Sequence, residues 1–178
     1  MPVFRTCSRP VLFKDIQLTP HSLAFYADVI TTGTLLGLKP SATPGEVTAI
    51  LGDDYAENSL DSTSMWRDYG MVEFHWLRSS PEHPWEGHHF SLHVHRLSYW
   101  GGSLVNKPLR DHYGRFARRT DFTKLRRILE RRGTPLVQVP QPGDHVDEFR
   151  QPASGVSVMS VRGPEQAGDL YAIFSAMA

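Results

Sequence analysis

Two stretches alternate between apolar and polar residues, and they constrain the fold more than anything else in the chain. From Met71 to Leu77, Val72, Phe74 and Trp76 fall on one side and Glu73 and His75 on the other. From His88 to Leu97, Phe90, Leu92 and Val94 oppose His89, Ser91, His93 and His95. A period of two is that of a strand with one buried face. Ser79–Gly87, with Pro81, Pro84 and Trp85, is the turn-rich loop between them. The pair therefore predicts an antiparallel hairpin whose apolar side meets a core.

Helices to cover that side are also legible. Thr43-Pro-Gly-Glu carries a capping box, with Thr43 to accept from the first turn, Pro44 at the first helical position and Glu46 three residues on. Val47, Ile50 and Leu51 then share a face, and Gly52 ends the helix. A second helix over 120–132 follows from Phe122, Leu125, Ile128 and Leu129, with Thr120 or Asp121 as cap and Gly133 as stop. Three further strands are expected at Leu136–Val139, Val156–Val161 and Leu170–Phe174, with Met65–Tyr69 a short one before the hairpin. Leu23–Ile30 fits either a helix or a strand, while Asp53–Ser64 and Pro140–Ala153 read as polar connections.

The expectation is one α+β domain over 1–178, a mainly antiparallel sheet with helices packed on one face. Because each helix is followed by strands, the chain also divides into possible helix-plus-meander halves, 36–104 and 105–178, with 1–35 as an extension.

Composition bears on function by exclusion. The 19 Lys and Arg balance the 19 Asp and Glu, which argues against a chain built to coat nucleic acid or an anionic membrane. The balance is local rather than uniform: residues 105–132 hold ten basic against three acidic side chains, between two acidic stretches. Cys7 is the single cysteine, so no intrachain disulfide can form. The first residues lack the apolar run of a signal peptide, and no stretch approaches the roughly 20 apolar residues of a membrane span. The cytoplasm is the expected address.

The segment from Thr43 to Trp76 resembles a known arrangement. A capped Thr-Pro-x-Glu-Val helix ending in Ile-Leu-Gly, a polar loop, then Trp66 and Tyr69-Gly70 leading a strand is similar to the small outer-membrane lipoprotein family, whose architecture the β-lactamase inhibitor proteins share. The resemblance covers about a fifth of the chain, and the lipobox cysteine and disulfide are missing from it. It implies a helical segment followed by a curved antiparallel sheet, and a protein that binds a partner through its concave sheet face. Without an export signal, the chain looks like a cytoplasmic immunity protein, held by a bacterium against its own polymorphic toxin.

The candidate contact surface is the polar side of the hairpin, Glu73, His75, His89, His93 and His95, with Trp85, Tyr99 and Trp100 near its ends. Trp66 and Trp76 are expected in the core. The rival reading is a metal-dependent hydrolase: His93 and His95 at i and i+2, with His75 or Glu73 from the neighbouring strand and His89 from their own, would supply the three or four ligands that zinc needs. Otherwise no cofactor is expected. A third reading is nucleic-acid binding through the arginine-rich segment Lys107–Arg132, with Tyr113 and Phe116. The same patch would also attract an acidic protein. Nucleophile elbows, phosphate-binding loops and dinucleotide fingerprints are missing from the sequence.

Overall fold

A computed structural model describes residues 21–140, 145–164 and 166–178. The N-terminal expectations, Cys7 among them, lie outside these residues. In chain order the elements are α1 (His21–Thr32), α2 (Pro44–Leu51), β1 (Ala56–Asp61), β2 (Ser64–Asp68), β3 (Val72–Leu77), β4 (Glu86–Leu92), α3 (Arg96–Trp100), a 3-10 turn (Gly101–Leu104), α4 (Lys107–Tyr113), α5 (Phe122–Arg131), β5 (Val137–Val139), β6 (Val146–Arg150), β7 (Ser157–Val161) and β8 (Leu170–Phe174).

All eight strands join one antiparallel sheet in the order β1-β2-β3-β4-β8-β7-β6-β5. Thus α2 precedes one four-stranded meander and α5 precedes another, and the two meanders meet through their last strands. That seam is short, Ser91 opposite Phe174 and Leu92 opposite Ile173.

The alternation read from the sequence decides which side of this sheet is covered. One row of apolar residues crosses five strands: Val72, Leu92, Ile173, Val158 and Phe149, each opposite the next. All are buried, as are Phe74, Trp76 and Phe90 beside them. Helices contact this side. Phe122 of α5 packs its ring 4.7 Å from that of Phe149. Thr48 of α2 accepts a hydrogen bond from Arg67 at 2.8 Å. Tyr26 of α1 donates to the Met71 sulfur at 3.7 Å. Leu23–Ile30 therefore resolves as helix, with Phe25, Tyr26, Ala27, Val29 and Ile30 all buried.

Helix α2 carries the predicted capping box: Thr43 Oγ1 accepts from the Glu46 amide at 3.3 Å and the Thr43 amide donates to Glu46 Oε2 at 2.7 Å. Val47 and Leu51 are buried, whereas Ile50, expected on the same face, is 42% exposed. Eight residues make barely two turns, and only one edge of so short a helix reaches the core. The loop leading into α2 crosses the sheet at Gly87. A Cβ there would meet Pro40 O at 2.4 Å and the Ser41 carbonyl carbon at 2.5 Å, so only glycine admits this crossing. Beside it, Trp76 Nε1 donates to Ala42 O at 2.8 Å, which satisfies a fully buried indole. Helix α5 buries Phe122, Leu125, Ile128 and Leu129 as expected, and Asp121 is its cap, accepting from the Lys124 amide at 3.2 Å.

Two expected polar connections contain strands. Within 53–64 lies β1, exposed at every position and held at the sheet edge by pairing with β2. Within 140–153 lies β6, in the sheet interior. No helix among the described residues is long and apolar enough to cross a membrane.

Candidate partner-binding face of the sheet

The side of the sheet opposite the helices carries the candidate residues, in an arrangement that only partly follows the alternation. On β2, β3 and β4, Trp66, His75 and His89 lie opposite one another. Their rings form a ladder: His75 and His89 stack with centroids 4.2 Å apart and 6° between planes, and Trp66 lies 6.1 Å from His75 at 19°. All three are half-buried. Trp66 thus belongs to the outward face, not the core; the period of two places it beside His75, and its neighbours Met65 and Arg67 point inward.

A bulge sets the end of this ladder. The register steps from His75 opposite His89 to Trp76 opposite Gly87, which leaves His88 unpaired in the ladder of strands. His88 Nδ1 lies 2.7 Å from His89 Nδ1, so one ring donates its proton to the other. Burial first, then the neighbouring His75 and His88, pushes the His89 pKa down to about 4, so His89 is neutral at pH 7.

Beyond the ladder, a second outward row runs from Asp68 through Glu73, Ser91, Phe174, Ser157 and Arg150 to Val137. Glu73, a candidate contact residue on the polar side of the hairpin, is only 8% exposed. Arg96 explains this: its Nη2 donates to Glu73 Oε1 at 2.6 Å, and its Nη1 bonds Asp68 Oδ2 at 3.1 Å and Gly70 O at 2.8 Å. His93 Nε2 and His75 Nε2 approach the other oxygen at 3.2 and 3.5 Å. Burial alone would raise the Glu73 carboxyl, but the bonds from His75, His93 and Arg96 outweigh it and hold the group well below the usual carboxylate range.

His93 and His95 are not an i, i+2 pair on a strand. β4 ends at Leu92, Val94 and His95 form a turn, and α3 begins at Arg96. The His93 amide still bonds Met71 O across the hairpin at 2.8 Å, but the bonds that follow are local, from the Arg96 amide to His93 O at 3.1 Å and from the Leu97 amide to Val94 O at 3.0 Å, and Leu97, fully buried, anchors α3 to the core. His95 stacks on Tyr171 with centroids 4.3 Å apart, and burial lowers its pKa against the opposing hydrogen bond to Tyr171 O. The four histidines offered as metal ligands are thus divided between a ring stack, a carboxylate and a tyrosine. Among the described residues no group of three or more His, Cys, Asp or Glu is placed to hold a metal ion.

The flanking aromatics also separate. Trp85 packs against the core and lies under the Arg78 guanidinium, 4.0 Å from its ring centroid. Tyr99 and Trp100, on α3, are 72% and 70% exposed. Two outward aliphatics that the sequence did not single out are open as well: Leu77, 44% exposed on β3, and Val137, 55% exposed on β5. Leu77 could have been found, since it continues the Glu73–His75 side of the alternation.

No family model, curated protein or solved structure matches the chain.

Proposed function

We propose that this chain is a protein-binding module of the immunity or inhibitor type, which docks the outward face of its sheet on a partner and blocks it sterically. The observation that carries the reading is the outward face itself. An eight-stranded sheet has its helices on one side, and the other side presents the half-buried rings of Trp66, His75, His89 and Phe174 together with the exposed aliphatics Leu77 and Val137. Rigid rings on strands present contact area at little cost in conformational entropy, and a polar centre such as Glu73–Arg96 confers register. The helix-then-meander order, met twice, supports the likeness to inhibitor proteins that use such a face. A bacterial toxin is the partner this reading favours.

Affinity capture with the wild-type chain, compared with Leu77→Asp/Val137→Asp, tests it. Both changed side chains are exposed, so the melting temperature is expected to hold while a captured protein is lost. A protein retained equally by both chains, or none enriched over an unrelated bait, contradicts the reading.

A further inference from the structure

The arginine-rich segment does not behave uniformly once folded. Arg119 pairs with Asp169 at 2.5 Å, Arg132 with Asp28 at 2.6 Å, and Arg126 with Glu130 at 3.9 Å. Arg110, Arg115 and Arg118 make no ion pair among the described residues. These three line one cleft of about 670 Å³, between the Gly101–Leu104 turn and the chain that follows α4. Asp111, the neighbouring carboxylate on α4, is engaged by Lys107 at 2.5 Å.

Gly101, at φ 69°, closes α3 and leaves its Cα against the Arg118 guanidinium, whose Nε would lie 3.4 Å from a Cβ at that position. Phe116, buried beneath the cleft, fixes the chain between Arg115 and Arg118. Trp100 stands at the rim, open to solvent. Three like charges in one concavity repel each other, and concave walls focus their field on whatever enters. The chain as a whole is neutral, so this field belongs to the cleft.

We propose that this cleft takes the carboxylates of an acidic segment of the partner protein, clamped by Arg110, Arg115 and Arg118 and covered by Trp100. The proposal rests on the reading that the partner is a protein, and names the chemistry of the part that enters here. Guanidinium forks match carboxylates bidentately, and arginine beside tryptophan is the composition of interface hot spots. A nucleic-acid strand would call for a longer basic groove with several stacking rings along it; this cleft has three guanidiniums and one open indole.

The test is fluorescence anisotropy of a labelled oligoglutamate peptide with the full chain. Saturable binding is expected, weakened roughly tenfold by each of Arg110→Gln, Arg115→Gln and Arg118→Gln, an effect the size of losing one hot-spot contact. Arg127→Gln removes the same charge from α5 outside the cleft and is expected to leave affinity within about twofold. Leu77→Asp/Val137→Asp is expected to bind the peptide normally, which separates this site from the sheet face. Failure of the peptide to bind, equal weakening by Arg127→Gln, or tighter binding of a single-stranded oligothymidylate of equal charge would each overturn the proposal. None of those results would touch capture through the sheet face.

Discussion

His75 and His89 stand opposite each other on β3 and β4 with their rings nearly parallel, 4.2 Å between centroids. Such a stack is favourable when the rings are neutral and unfavourable when both are charged. His89 is held neutral, at about 4 against its ordinary 6.5. The unfolded chain therefore binds more protons than the folded one as pH falls from 6.5 towards 4, and stability falls with it. Urea titrations across that window are expected to show a decreasing midpoint for the wild type and a flatter profile for His89→Gln. A midpoint independent of pH would contradict this account of the ring ladder.

Glu73 acts in the same direction at lower pH. Its folded pKa is depressed, so its contribution is present above its ordinary 4.5 and is lost as pH falls below it. Glu73→Gln removes the charge from a centre of one arginine and two histidines, and is expected to cost about 2 kcal/mol at pH 7, the scale of a hydrogen bond to a charged group. The variant is also expected to lose the additional acid sensitivity below that pH, read by the same titrations.

Gly87→Ala tests how α2 is held on the sheet. The added methyl would meet backbone atoms of Pro40 and Ser41 at 2.4–2.7 Å, and backbone cannot rotate away as a side chain can. A loss of about 3 kcal/mol, at the upper end for overpacking, is expected in thermal unfolding. Thr43→Ala, which removes only the cap, is expected to cost about 1 kcal/mol.

The contrast between what the sequence disclosed and what it concealed has a physical basis. The β3 alternation, the α2 capping box and the α5 stripe are local patterns with one buried face, and each forms where expected. β1 was missed because Ala-Glu-Asn-Ser-Leu-Asp buries nothing; pairing with β2 alone makes it a strand. β6 was missed because its outward Glu148 and Arg150 and its inward Asp147 leave Phe149 as the main apolar signal. The site was half legible. The alternation puts His75 and His89 on one face, but that they stand opposite each other, with Trp66 next to them, depends on a register that the alternation leaves open. His93 and His95 continue the alternation on paper, but the chain turns after His93 into α3, whose Leu97 is buried in the core. The arginine-rich segment was legible as a basic patch, but the grouping of Arg110, Arg115 and Arg118 in one cleft was not, because it depends on which cations find carboxylates in the folded chain.

The most direct test of the central claim is histidine-selective covalent labelling, followed by mass spectrometry, of the free chain and of the chain bound to its captured partner. Docking through the outward face predicts that His75 and His89 label more slowly in the complex. If both keep the rates of the free protein while the partner is bound, the sheet face is not the docking surface.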